Sequence, residues 1–264
     1  MDISVLTQNC FFSKKIRKVK RLIKDNPSDV YCFQEITGKE VAEDLRSVAG
    51  TNFIISNSIN TSNSFISSKF HNLIFSKFPI EEYGEINFER ERESKRNPDK
   101  FSGKALWVIV KGHKSKNLKI YCCYLRVNYQ GMFERNFILK TILEDATKFK
   151  GPTIICGDMN TVIPDQTNHR KLVKWWHKFP DPDPKLFGDY AFKNERYLFS
   201  DTASKFGFKE VADLGLNTWC IPFIPIEAFN LKLDWMLYKG FSRSSYKLGP
   251  WIGDHRAIIG KLIA

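Results

Sequence analysis

Short apolar runs alternate along the chain with stretches in which apolar positions recur every three or four residues. Residues 3–8 read as a strand, and residues 14–24 as a basic helix with Ile16, Val19 and Ile23 on one face. Residues 29–34 are strand-like and 39–48 helix-like. Further strands are predicted over 53–56, 72–76, 105–110 and 118–125. Helical spacing is clearest over 133–149, where Phe137, Ile138, Thr141, Ile142 and Ala146 recur. Gly151-Pro152 stops that helix, and 153–156 is a buried-strand run. A helix is predicted over 197–206, and strands over 233–238 and 257–262. Residues 88–102, charged and holding Pro98, read as an exposed loop, as do 179–189 with Pro180, Pro182 and Pro184. Strands interleaved with helices predict an α/β fold with mixed sheets. No repeat or linker divides the 264 residues, so one domain, 1–264, is expected.

Composition narrows the class. Hydrophobic residues make up 42% and charged residues 27%, which excludes a disordered or collagen-like chain. Lys and Arg number 41 against 29 Asp and Glu, a formal charge of +12. A field of that sign draws in polyanions: nucleic acid, anionic lipid headgroups or phosphorylated small molecules. No stretch reaches the roughly 18 apolar residues of a membrane span. Residues 1–10 lack the apolar core of a signal peptide, so a cytoplasmic location is expected, or a nuclear one in a eukaryote. None of the six cysteines forms a CxxC pair, and five lie in or beside apolar runs. They read as buried reduced thiols rather than disulfides or a zinc site. The five histidines show no HExxH pairing, so a zinc hydrolase has no support.

Polar residues collect at the ends of the apolar runs. The first strand ends in Gln8-Asn9 and the second in Gln34-Glu35. The run 153–156 ends in Gly157-Asp158-Met159-Asn160. The run 235–238 begins after Asp234, and the last strand begins after Asp254-His255. If the last two strands run antiparallel to the first three, these groups gather at one edge of the sheets. Clustered carboxylates repel, so such a cluster serves to hold a cation or share a proton. Oxygen donors without thiolates suit a hard divalent cation, Mg²⁺ or Mn²⁺. A His with one carboxylate beside it and another to orient its ring can bind a phosphoryl oxygen or move a proton. Metal, water activator, amide donor and oriented His together make a phosphoester hydrolase.

Six segments in order carry a family resemblance. They are Thr7-Gln8-Asn9, Phe33-Gln34-Glu35, Ser76-Lys77-Phe78-Pro79-Ile80, Gly157-Asp158-Met159-Asn160, Leu233-Asp234-Trp235 and Gly253-Asp254-His255. This set resembles the motifs of the endonuclease/exonuclease/phosphatase superfamily across nearly the whole chain. The resemblance implies a four-layer α/β sandwich, two mixed β-sheets face to face and flanked by helices. It implies Glu35 as the principal metal ligand, with Asn9 and Asp254 beside it, and Mg²⁺ as the cofactor with Mn²⁺ as a substitute. Asp158 is then the group that orients or deprotonates water, Asn160 an amide donor, and His255 the phosphate contact whose tautomer Asp234 fixes. At the end of the strand 118–125 this chain has Tyr124 where part of the superfamily has His. A Tyr there is similar to the AP endonuclease branch, in which it contacts phosphate. The Asn-Gly-Leu continuation of exonuclease III-type relatives is absent, since Cys10-Phe11-Phe12 follows Asn9.

With the basic surface, the resemblance implies a nuclease or DNA end-processing enzyme acting as a monomer, its partner nucleic acid and first of all DNA. Arg126, Trp219 and Phe229 are the candidate substrate contacts, and Trp175-Trp176-His177 is either a further contact element or a buried helix end. The alternative is an inositol-phosphate phosphatase or a sphingomyelinase-type phospholipid phosphodiesterase. For that reading the apolar run 221–226 would face a bilayer.

Overall fold

The computed structural model describes residues 2–50, 52–63, 66–88, 103–111, 117–125, 132–161, 195–220 and 231–263. In chain order these form β1 (Asp2–Asn9), α1 (Ile16–Asp25), β2 (Val30–Ile36), α2 (Lys39–Ala49), β3 (Asn52–Ile55), β4 (Ile59–Asn63) and β5 (Ile66–Ser76). There follow β6 (Ile80–Asn87), β7 (Lys104–Val110), β8 (Leu118–Tyr124), α3 (Met132–Lys148), β9 (Thr153–Asp158) and α4 (Glu195–Lys205). The last are β10 (Lys209–Glu210), β11 (Asp234–Lys239), β12 (Arg243–Ile252) and β13 (His255–Ile263).

The strands make two sheets. One runs β12-β13-β1-β2-β5-β3, with β4 paired to β5, and the other runs β10-β11-β9-β8-β7-β6. Each contains one parallel pair, β1 with β2 and β8 with β9. A parallel neighbour cannot be reached by a tight turn, so each pair needs a crossover, and α1 and α3 supply them. The crossover helices pack outside. Val19, Leu22 and Ile23 of α1 join Ala42 and Leu45 of α2 against Tyr31, Phe33 and Phe75. On the far side Leu139, Ile142 and Leu143 of α3 join Phe199 of α4 against Tyr121 and Trp235. Between the sheets lie Ile3, Val5, Val30 and Cys32 facing Val108, Ile120, Cys122, Ile154 and Met236. The result is the expected sandwich of four layers, helix, sheet, sheet, helix. It explains why β2 and β8 read as unbroken apolar runs: every residue in each is buried, alternately toward the helices and toward the other sheet.

The apolar face of α3 differs from the sequence expectation. Phe137, expected on the apolar face of α3, is 67% exposed. The buried stripe is instead Ile138, Leu139, Ile142, Leu143 and Ala146, which closes without it. Next to that stripe Arg135 and Glu195, both fully buried, pair at 2.7 Å and pin α3 to α4. All six cysteines are buried and none is in a disulfide, as read from the sequence. Among the described residues no helix is long and apolar enough to cross a membrane. The segments 89–102 and 179–189, the Trp175-Trp176-His177 element and the run 221–226 lie outside the described residues.

Candidate active site

Strand direction decides which residues meet. β1 and β2 run parallel, as do β8 and β9, so each pair ends at one edge of its sheet. β13 runs antiparallel to β1 and β11 antiparallel to β9, so both begin at that edge. Asn9, Glu35, Tyr124 and Asp158 therefore stand at strand ends, and Asp234 and His255 at strand starts, on one rim of the sandwich. The Asn9 side-chain amide donates to Asp158 Oδ2 at 2.9 Å and ties the two sheets together there.

Local backbone geometry aims these side chains. Glu35 has φ 58°, and the β2–β5 register slips between Phe33 and Ile36. That irregularity turns Glu35 out of the ladder, a common way to re-aim a side chain beside a site. Gly157 has φ 134°, and a Cβ there would lie 2.1 Å from the Cys123 carbonyl oxygen. Only glycine lets β9 approach β8 so closely just before Asp158. Asn160, with φ 49°, donates its backbone N–H to Asp158 Oδ1 at 2.9 Å and its side-chain amide to the Leu125 carbonyl at 2.9 Å.

The register places Asp234 directly opposite Asp158. Two facing carboxylates in a buried ladder repel, and a cation must compensate. His255 does so. Its Nδ1 is 2.9 Å from Asp234 Oδ2, and its Nε2 is 3.8 Å from Asp158 Oδ2 and 3.9 Å from Asp254 Oδ1. Burial alone would lower the imidazole pKa, but the charges of Asp234, Asp254 and Asp158 outweigh it and raise it well above the usual value. Burial likewise pushes the Asp158 carboxyl up, His255 pulling it back and Asp234 adding to the rise. Thr218 Oγ1 accepts the N–H groups of Leu233 at 2.9 Å and Asp234 at 3.0 Å, which fixes the start of β11.

Around Glu35 the surroundings are aromatic. The Phe12 N–H donates to Glu35 Oε2 at 3.0 Å, and the Phe11 N–H to Asn9 Oδ1 at 2.9 Å. The Tyr124 hydroxyl feels the charge of Glu35. Burial, then the charges of Glu35 and Asp158, push its pKa up, so it stays a donor. The Tyr124 ring meets Phe70 edge-on, with centroids 4.7 Å apart.

Two sets of oxygen donors could hold a cation. Ligand atoms of Asp158, Asp234 and His255 lie within 4.8 Å of one another. In that set the imidazole Nδ1 is already engaged with Asp234. Glu35 and Asp254 fit better. Among the described residues Asp254 Oδ1 is buried with no hydrogen-bond partner, and its Oδ2 is held by the Trp219 indole N–H at 3.2 Å. The Glu35 carboxyl is pushed up to about 7, mainly by burial, with the Asp254 charge adding to the rise. A buried orphan oxygen beside a carboxylate that resists ionisation suits a hard divalent cation.

The structure thus brings together Asn9, Glu35, Tyr124, Asp158, Asn160, Asp234, Asp254 and His255, with Trp219 behind Asp254. Arg126 and Phe229 lie outside the described residues. The sequence reading missed Thr218, Phe70 and the pair Phe11-Phe12 as neighbours of the site. The aromatic pair directly after Asn9 was a signal, but only the fold shows that its N–H groups serve Asn9 and Glu35.

Known proteins match this arrangement. The family described as Endonuclease/Exonuclease/phosphatase matches residues 6–255. No curated protein sequence matches significantly. Among solved structures, an endonuclease/exonuclease/phosphatase from Beutenbergia cavernae superposes with TM-score 0.70 at 12% identity, covering 99% of this chain and 71% of the other. One from Bacteroides vulgatus gives TM-score 0.66 at 14% identity, covering 99% and 98%. TDP2 from D. rerio, solved with a single-strand DNA product, gives 0.64 at 12% identity, covering 100% and 99%. At such identities these likenesses speak for the fold, while the sequence match spans nearly the whole chain. The chain belongs to the endonuclease/exonuclease/phosphatase family, whose members are metal-dependent phosphoester hydrolases.

Proposed function

We propose that this protein is a Mg²⁺-dependent phosphodiesterase that cleaves nucleic acid, DNA first of all, acting as one catalytic domain over 1–264 and as a monomer. The observation that carries the reading is the Asp234–His255 pair set 3.8 Å from Asp158, beside the partnerless Oδ1 of Asp254. Glu35 and Asp254 would hold Mg²⁺, with Asn9 ordering the site. When bound, the ion neutralises phosphate charge and lowers the pKa of water. Asp158, with its proton affinity raised by burial, aligns the attacking water and takes its proton. The cationic Nε2 of His255 faces a phosphoryl oxygen and stabilises charge as it develops, and Asp234 keeps Nδ1 protonated. Tyr124 and Asn160 add neutral donors. The formal charge of +12 supports a polyanionic substrate, as does the likeness to a TDP2 structure holding a single-strand DNA product.

The test is cleavage of labelled duplex, abasic-site, 5′-tyrosyl and single-stranded DNA, and of RNA, with Mg²⁺, Mn²⁺ or EDTA. Cutting that needs the metal and disappears in Glu35→Ala is expected. Intact substrate in every lane, with protein whose fold is verified, overturns the nucleic-acid reading.

A further inference from the structure

The candidate site is divided between the sheets. Asn9, Glu35 and His255 belong to the first, Tyr124, Asp158 and Asp234 to the second. Chemistry across such a division needs the two halves held to within about 0.5 Å. The layer between the sheets is mostly apolar, and apolar packing is non-directional, so it does little to fix how one sheet lies over the other. Two fully buried amides, Gln34 and Asn72, cross that layer beneath the rim. Asn72, on β5, donates its side-chain N–H groups to the carbonyls of Lys104 at 3.0 Å and Cys122 at 3.1 Å, both in the other sheet. Gln34, on β2, donates to the Cys122 sulfur at 3.1 Å. One residue of β8 is thus gripped from two strands of the first sheet. The main chain of Asn72 is itself fixed, its N–H donating to Ser56 Oγ and its carbonyl accepting the Ser56 N–H, each at 2.9 Å.

Tyr124 is the site residue these contacts surround. Cys122 precedes it by two positions on β8, and Lys104 is its ladder partner on β7. Phe70 stands two positions before Asn72 on β5, on the same face, and meets the Tyr124 ring edge-on with centroids 4.7 Å apart. Ile59, paired with Phe70 across β4 and β5, completes that cluster. Stability does not account for the amides. Among the described residues Asn72 Oδ1 and Gln34 Oε1 are buried with no hydrogen-bond partner. Leucine and methionine have nearly the same shapes as Asn and Gln and bury no such oxygen. A polar group kept in a core against stability marks a place where function sets the sequence.

We propose that Asn72 is a positioning residue for Tyr124. By clasping the Lys104 and Cys122 carbonyls it sets β7 and β8 against β5, so that Phe70 holds the Tyr124 ring with its hydroxyl at the reacting phosphate. Gln34 braces the same point of β8. This rests on the reading of Tyr124 as a donor in a metal-dependent phosphodiesterase and deepens it, adding a directional tie between the two halves of the site.

The test compares the full chain carrying Asn72→Leu with the wild type on a small aryl phosphodiester, with Mg²⁺ present. kcat should fall about tenfold while KM stays level. The urea midpoint should equal or exceed that of the wild type, the opposite of what loss of an ordinary core contact gives. In a Tyr124→Phe background the same substitution should lower kcat little further, because it acts through the hydroxyl. In proton NMR spectra the Tyr124 ring signals, displaced by the ring current of Phe70, should move in Asn72→Leu. Asn72→Ala repeats the kinetic and NMR arms if the leucine variant does not fold. Unchanged kcat with unmoved Tyr124 signals overturns the proposal. So does a lowered midpoint with a loss of kcat that persists in full beside Tyr124→Phe, which would make Asn72 a plain core residue. No turnover by folded wild type overturns the phosphodiesterase reading instead, and the Tyr124 signals alone then decide whether the clasp sets the ring.

Discussion

Glu35 is an anion by function and a neutral acid by location. Its folded pKa of about 7 stands above the ordinary 4.5, so the native state binds this proton more tightly than the unfolded chain does. Its contribution to stability is then complete below about pH 4.5 and is lost as pH rises through about 7. Glu35→Gln removes that loss. In EDTA the variant should be more stable than the wild type at pH 8, by on the order of 3 kcal/mol, and nearly equal to it at pH 4. Mg²⁺ should reverse the order at pH 8, because only the carboxylate gains from binding it. Urea melts at the two pH values check both signs. The Asp234–His255 pair makes a second prediction. Asp234→Asn removes the charge that keeps Nδ1 protonated, and kcat on a small diester should fall by about 10²-fold or more with the fold intact. Tyr124→Phe should lower kcat more than it weakens oligonucleotide binding, since the hydroxyl acts on developing charge. Equal losses in both would make Tyr124 a plain binding residue.

The strand ends were legible because burial on both faces makes a strand an unbroken apolar run, and the first polar residue after it marks the rim. That is how Asn9, Glu35 and Asp158 could be read in advance. Two edge strands, β6 and β12, were not legible. No position of β6, Ile80–Asn87, is buried, exposed and half-buried positions alternate along most of β12, Arg243–Ile252, and Gly249-Pro250 gives β12 the look of a turn. Pairing and side-chain partners were hidden as well. Nothing in the sequence sets Asp234 opposite Asp158, and Trp219, read as a substrate contact, has its indole N–H on Asp254. Trp219→Phe should therefore weaken Mg²⁺ binding, seen as a raised Mg²⁺ requirement for turnover, before it affects affinity for DNA in the metal-free state. At the same scale, Gly157→Ala should destabilise the fold by about 3 kcal/mol or more, because the added methyl would overlap the Cys123 carbonyl. A denaturation midpoint close to that of the wild type would show that β8 and β9 can separate at little cost.

For the molecule as a whole, a charge of +12 acts on encounter more than on chemistry. With a DNA substrate kcat/KM should fall steeply between low and physiological salt, while kcat stays nearly level. A salt-insensitive kcat/KM would show that the field plays no part in substrate capture. The ledger of partners also spans the chain. Asn9 and Asp158, hydrogen-bonded at the rim, are 149 residues apart in sequence. Contacts of that range form late and slowly, so refolding on the millisecond-to-second scale is expected.

The pairing of β13 with β1 carries a further consequence for the timing of synthesis. β1 is made long before one of its two ladder partners, β13, the strand that also brings His255. Until β13 docks, β1 and β12 each keep an open edge, and the rim lacks its imidazole. A chain ending at Asp254 would hold every carboxylate of the site and lack the imidazole that stands among them. The rim then presents its carboxylates without the imidazole between them, and an open strand edge of this kind is prone to pair with other chains.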